Sequence, residues 1–222
     1  MQGIFFKEFN NSFIPHIFQE LYIERIYEPF LKGKKDLTIF DIGGNIGLFS
    51  HYAYPHAKKI ICMEPSKEHV EVIKHMLKYN KMDDKVGIVN AALSSRSERK
   101  TFYHNQNKTM YSLQKAVSDG SKPEEVTTMT MTDLMLLTKT NYVDFMKLDI
   151  EGSEFDVINS KGFEAVADKI GSMVVELHAW AGRNPSQITT TLRDYGFDVW
   201  HIPAQATLYG AKRKWTNTQY MQ

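Results

Sequence analysis

Three features of this 222-residue sequence predict an α/β fold, doubly wound around a mostly parallel seven-stranded sheet that ends in an antiparallel hairpin. Runs of β-branched and aromatic residues alternate with runs of helical period, the pattern of parallel strands joined by helices on both faces. The first strand runs into Asp41-Ile-Gly-Gly-Asn-Ile-Gly47. A small-residue turn between strand and helix is how an open sheet builds a site for a nucleotide-type ligand. The last two strands are joined only by about Pro203-Ala204-Gln205. Parallel neighbours need a crossover of about a dozen residues or more, so this pair must be antiparallel.

Taken in order, residues 1–36 read as an N-terminal extension carrying one helix, with Phe18, Leu21, Tyr22, Ile26 and Phe30 at helical spacing. Strand one covers 37–42 and its helix 46–54. Strand two covers 59–64 and leads to a helix over 67–80, with Ser66 placed to cap it. Val70, Ile73 and Leu77 form that helix's buried stripe. Strand three covers 85–90. Residues 94–130 break the rhythm and read as a β excursion, Lys100-Thr-Phe-Tyr103 and Val126-Thr-Thr-Met129 flanking a polar loop over 104–123. So long a polar connection predicts a mobile lid. Strand four covers 142–148, with a helix over 154–165, and strand five covers 172–177. The helix over 185–195 starts at Asn184-Pro185, a cap followed by the residue favoured at the first helical position, and ends at Gly196. Strands six and seven cover 197–202 and 206–212. The organisation is therefore an extension (1–36), one domain (37–214) and a short tail (215–222).

Composition narrows the function classes. Hydrophobic residues at 42% and charged residues at 24% describe a soluble globular chain. A formal net charge of +1 gives no global attraction to nucleic acid or acidic membranes. The single cysteine, Cys62, rules out an internal disulfide and a cysteine-built metal site, and its apolar strand makes it a small core residue. Lys7 and Glu8 interrupt the apolar start, and no uncharged run is long enough to span a bilayer, so the expected location is the cytoplasm.

The residues that carry chemistry fall at the carboxyl ends of the strands. Glycines 43, 44 and 47 let the chain turn tightly and let a ligand approach the backbone, and Asn45 tolerates left-handed geometry. Their spacing does not fit the dinucleotide pattern G-x-G-x-x-G. Glu64 ends strand two about 20 residues after the turn, where a carboxylate accepts the hydroxyl protons of a ribose. Asn90-Ala91-Ala92 ends strand three, with small residues for an adenine ring to lie on and an amide for its edge. Strand four ends in Lys147-Leu-Asp-Ile-Glu-Gly-Ser-Glu154, with Asp149 and then Glu151 directed at the cleft and Glu154 in a helix's first turn, where an acid is also favourable for the dipole. Strand five delivers Glu176 and His178 on one face, and Trp180 follows them. His178 is a candidate general base, because an imidazole titrates near working pH. Carboxylates at the ends of strands four and five are also suited to Mg²⁺, but no metal ligand set is assigned. His51, His56, His69 and His75 are assigned no role.

In order and spacing, Asp41-Ile-Gly-Gly-Asn-Ile-Gly47, Glu64-Pro65, Lys147-Leu-Asp-Ile-Glu-Gly-Ser-Glu154 and Val175-Glu-Leu-His178 resemble the FkbM family over about residues 37–212. The turn is similar to the D-x-G-x-G-x-G loop of class I S-adenosylmethionine (SAM) methyltransferases, with Asn45 in the middle glycine position and Gly44 where the family often has Ala. The D-x-E-G-x-E element is the discriminating part. The resemblance implies the Rossmann-like class I methyltransferase arrangement, whose terminal hairpin the dehydrogenases lack, and SAM as cofactor. It implies cofactor contacts from Asp41, Gly43, Asn45 and Glu64 and places Asp149 between cofactor and substrate; Gly44, Gly47, Pro65, Asn90 and Ala91, at the same turn and strand ends, are expected to line the cofactor site beside them. The expected reaction is O-methylation of a hydroxyl on a small molecule or glycan, with Asp149, His178 and Glu151 as the catalytic set. The rival expectations are a nucleic-acid methyltransferase, a dinucleotide-binding oxidoreductase and a non-catalytic binding module. The basic clusters Lys212-Arg-Lys214 and Lys32-Gly-Lys-Lys35 are short for a nucleic-acid surface. The acceptor's identity and the oligomeric state carry no sequence signal.

Overall fold

The computed structural model describes residues 14–104, 111–112, 123–178 and 183–214. Most of the expected polar loop, Trp180 and the expected tail lie outside these residues. In chain order the elements are α1 (Ile14–Phe18), a π-helical turn (Gln19–Ile23), α2 (Glu28–Leu31), β1 (Leu37–Ile42), α3 (Leu48–Ala53), β2 (Ala57–Met63), α4 (Lys67–Tyr79) and β3 (Val86–Val89). There follow β4 (Ala92–Leu93), β5 (Arg99–His104), β6 (Tyr111–Ser112), β7 (Pro123–Met129), α5 (Met131–Leu137), β8 (Phe145–Leu148), α6 (Glu154–Ile158) and α7 (Lys161–Glu164). The chain closes with β9 (Ser172–Glu176), α8 (Pro185–Asp194), β10 (Phe197–His201) and β11 (Leu208–Arg213).

The main sheet has seven strands in the order β10-β11-β9-β8-β1-β2-β3. Its β9-β8-β1-β2-β3 run is parallel, and β11 is antiparallel to both β9 and β10. This is the expected architecture, hairpin included. Winding reverses between β1 and β8, the switch point where such sheets open a crevice at their carboxyl ends.

Strand parity divides the core. Phe40, Ile42, Met146, Leu148 and Val175 face one side, under α5 to α8. Ile39, Ile60, Phe145 and Val174 face the other, under α3, α4 and the N-terminal segment, which inserts Leu21, Ile26, Phe30 and Leu31. Each fully buried side chain of this size contributes about 1.5–3 kcal/mol. Phe145, fully buried against Tyr27, Phe30 and Phe49, is the keystone of the second layer. Truncating it to Ala costs about 3–5 kcal/mol.

Four local departures from expectation have physical causes. The N-terminal helix is split, because the backbone widens into a π turn closed by Glu24 N–H donating to Gln19 O, and Arg25 then adopts φ 54°. The helix expected over 154–165 is two, because the Ser160 hydroxyl donates to Val157 O and accepts the Phe163 N–H, ending α6 and capping α7. The β excursion forms its own four-stranded sheet, β4-β7-β5-β6, with β5 antiparallel to β7. It leads into α5, which the sequence pattern did not predict; the local signal is Thr130-Met-Thr-Asp133, in which Thr130 accepts the Asp133 N–H. No described helix is long and apolar enough to cross a membrane.

Candidate active site

The turn after β1 is shaped by contacts that allow no side chain. Gly43 (φ 79°) lies so close to β8 that a Cβ there would collide with the Asp149 carbonyl, and a Cβ on Gly44 would strike the Cys62 sulfur. Gly47 (φ 84°) caps α3 in a conformation that favours glycine, against Met76 and Ile73 of α4. Four amide hydrogens of the turn are spent internally. Gly43 and Gly44 both donate to Met63 O at 3.0 Å, Gly47 donates to Gly44 O, and Asn45 donates to the Glu64 carboxylate at 2.9 Å. A loop that cradles a pyrophosphate turns such N–H groups outward.

Two clefts open on either side of this turn. The first is lined by Gly43, Asn45, Glu64, Pro65, Ala91 and Asp149, with Leu93, Phe102 and Glu151 among its other walls. The second lies against the N-terminal segment and is bordered by Glu20, Tyr27, Gly44, Lys147, Glu176 and Gln205. Gly43, Asn45 and Asp149 border both. The Asn45 Oδ1 is buried with no hydrogen-bond partner among the described residues. An orphaned acceptor at that place suits a ligand that brings a donor.

The other expected contacts divide. Glu64 is 4% exposed, and besides Asn45 it accepts the Ser66 N–H at 2.9 Å and lies 3.4 Å from the ring of the buried His69. Asp41 sits wholly buried beneath the turn and lines neither cleft. Its Oδ2 accepts from the Ser50 hydroxyl at 2.6 Å, and burial holds its carboxyl above the ordinary range against the pull of Lys147. Asn90 is exposed outside the first cleft, and its amide nitrogen donates to the carbonyls of Glu64 and Pro65, bracing the end of β2.

At the ends of β8 and β9 the acids converge on one imidazole. His178, 11% exposed at its side chain, has Nδ1 3.1 Å from Glu154 Oε1. Its Nε2 lies 3.4 Å from Glu151 and 3.7 Å from Glu176. Glu154 is fully buried and accepts the backbone N–H groups of Ile150 and Gly152, which fixes the turn after β8. Within that turn Glu151 holds φ 53°, a conformation few side-chain-bearing residues adopt. Lys147 donates to Asp149 at 3.0 Å and to Gly43 O at 3.0 Å, tying β8 to the turn.

Electrostatics follow from this crowding. Burial alone would raise Asp149, but Lys147 and His178 hold it below the ordinary carboxylate range. Burial, with Asp149 next, pushes Glu151 up to about 8 and Glu176 to about 7. Burial opposes charge on His178, yet the Glu154 hydrogen bond and the Asp149 charge push it up to about 10. At neutral pH the imidazole therefore holds its proton and Asp149 does not. Sequence reasoning gives Lys147 no role, reads Glu154 as a helix-start acid and gives Glu176 no part in the catalytic set; the signal for their convergence is the density of charge at two adjacent strand ends.

The model of the "Methyltransferase FkbM domain" family matches residues 41–199. No curated protein matches the chain. Among solved structures, the methyltransferase FkbM from Methylobacillus flagellatus KT is similar, with a TM-score of 0.55 and 14% identity over 82% of this chain. The match takes in 45% of that protein, so this chain spans less than half its length. The precorrin-6y C5,15-methyltransferase from Geobacter metallireducens GS-15 aligns over 88% of this chain and 89% of its own, at 15% identity and a TM-score of 0.52. The SAM-dependent methyltransferase from Agrobacterium tumefaciens has a TM-score of 0.53 and 8% identity, over 88% of this chain and 61% of its own. At these identities the likeness is one of fold.

Proposed function

This chain belongs to the methyltransferase FkbM domain family, and from that premise we propose that it uses SAM to methylate a hydroxyl on a small molecule or glycan. The observation that carries the proposal is that Asp149 borders both clefts, so that a donor and an acceptor can meet over one carboxylate. The residues present suit the cofactor: a turn that admits no side chain, an orphaned acceptor at Asn45, and an acid at the end of β2. Glu64 and Pro65 would hold the ribose, Ala91 and Leu93 the adenine, and Gly43, Gly44 and Asn45 the amino-acid end. Asp41 and Gly47 serve the same site from behind, by fixing the turn, and Asn90 by fixing the end of β2. Residues 37–214 are the methyltransferase unit in this reading, and the N-terminal segment walls the second cleft.

When bound, SAM supplies a methyl group already activated by a positive sulfur, so the protein's tasks are alignment and removal of one proton. Asp149, ionised and held by Lys147, is the proposed acceptor of the hydroxyl proton. His178, oriented by Glu154, keeps a positive charge beside it, and Glu151, a wall of the first cleft, lies against the same ring. This gives His178 a supporting part, because a nitrogen that already holds a proton cannot take another.

A small acceptor is favoured over nucleic acid by the fate of a basic cluster. Arg213 donates to the carbonyls of Ala167, Ile170 and Tyr195, which makes it part of the scaffold. A dinucleotide oxidoreductase is disfavoured by the inward-turned amides of the glycine loop. The test is thermal shift with S-adenosylhomocysteine and with NAD, since a ligand that binds only the folded state raises the melting temperature. The homocysteine compound should stabilise the protein and NAD should not; the reverse result would overturn the proposal. A screen of hydroxylated acceptors for release of S-adenosylhomocysteine then tests the reaction itself.

A further inference from the structure

We infer that Asp149, Glu151 and His178 form a binding site for a divalent cation of the Mg²⁺/Mn²⁺ class. The inference deepens the reading above, because Asp149, which borders both clefts, would bring such an ion to the place where donor and acceptor are proposed to meet.

Geometry comes first. One carboxylate oxygen of Asp149, one of Glu151 and one ring nitrogen of His178 all lie within 4.8 Å of one another. Oxygen and nitrogen donors bind such ions at about 2.0–2.4 Å, so two donors on opposite sides of one ion are about 4–4.8 Å apart. The three donors are thus gathered closely enough for one ion to draw them into its coordination shell by small side-chain adjustments.

The imidazole supplies the independent argument. Its Nδ1 faces Glu154, which two backbone amides lock in place. A carboxylate behind one ring nitrogen is the usual support of a metal-bound histidine, since it fixes the ring and presents the other nitrogen outward. Here that other nitrogen, Nε2, faces Glu151 and Glu176 at 3.4 and 3.7 Å. A cation that Asp149 and Glu151 also reach would take the place of any proton on that nitrogen. Donors that are mostly carboxylate, with one imidazole, favour Mg²⁺ and Mn²⁺ over thiophilic ions, and the nitrogen favours Mn²⁺.

The experiment uses the full chain and MnCl₂, followed by electron paramagnetic resonance and calorimetry with and without S-adenosylhomocysteine. One Mn²⁺ per chain is expected, with a spin-echo signal from a directly bound imidazole ¹⁴N. Glu151→Gln should weaken it at least ~10-fold, while Glu71→Gln on the exposed face of α4 should leave it unchanged. If a variant fails to fold, the nitrogen signal of the wild type still decides. Failure to bind Mn²⁺ at millimolar concentration, or Mn²⁺ bound without nitrogen coupling, would overturn the inference. Should S-adenosylhomocysteine bind while Mn²⁺ does not, the methyltransferase reading stands and the cation site falls. Mn²⁺ bound through nitrogen without any nucleoside binding would uphold the cation site and remove the methyltransferase reading.

Discussion

Glu154 and His178, 24 residues apart in sequence, meet at 3.1 Å between Oε1 and Nδ1, and the carboxylate that orients the ring also closes the turn carrying Glu151. Glu154→Gln would turn an N–H toward donors that now find only oxygen. Leaving one such buried group unpaired costs about 1–3 kcal/mol. A chain of this size loses about 2–4 °C per kcal/mol, so calorimetry should record a fall of roughly 2–12 °C. Turnover should drop about 10–100-fold, the usual effect of removing an orienting partner.

Asp149→Asn should cut turnover by about 10²–10⁴ if the carboxylate takes the acceptor's proton. The dissociation constant of S-adenosylhomocysteine should change far less, because Asn keeps an oxygen for Lys147. A stability loss with turnover per folded molecule intact would show that Asp149 only holds the turn.

Glu64→Gln and Glu64→Ala should separate binding from structure. The carboxylate already accepts the amides of Asn45 and Ser66, so the Ala variant loses melting temperature as well as affinity. Two charged hydrogen bonds to a ribose, each about 1.5–3 kcal/mol, predict an affinity loss of ~100-fold or more for Ala, with a smaller loss for Gln. Titration calorimetry beside a melting curve reads both.

Gly43→Ala should fold poorly or bind no cofactor. The new methyl must displace the Asp149 carbonyl and sit at φ 79°. Strain of about 1–3 kcal/mol from the backbone adds to the collision. A variant with wild-type melting temperature and affinity would mean that the turn can move away from β8.

Asp41→Asn should make stability less dependent on pH. Burial raises the wild-type carboxyl, so between the unfolded value of about 3.9 and its raised value the folded state binds the extra proton. Wild-type stability therefore falls across that window as pH rises, and the Asn variant lacks this contribution. The difference in melting temperature between the two, measured from pH 4 upward, should move steadily in favour of Asn and then level off.

The sheet was legible in the sequence because strands and turns write local signals: β1 falls on the expected residues, and the hairpin followed from the length of one connection. Helix ends were less so, since Ser160 divides α6 from α7 by a hydroxyl that a periodicity count cannot see. At the candidate site, the residues near the glycine turn were legible as a motif, but their division of labour was not. Nothing in the order Asp41, Gly43, Asn90 says that the first is buried beneath the loop and the last faces outward. The Glu154–His178 pairing is tertiary, and Glu154 has an adequate local explanation as a helix-start acid that concealed its second use.

Cys62 gives the protein an internal clock. The thiol is fully buried beneath Gly44 and next to Asp41, and burial pushes its ionisation well above the usual range. A disulfide reagent can reach it only when the floor of the glycine turn lifts, so the labelling rate measures how often that floor opens. With one cysteine in the chain, the signal has a single source. A ligand seated on the turn should slow the reaction in proportion to its occupancy, whatever the acceptor proves to be.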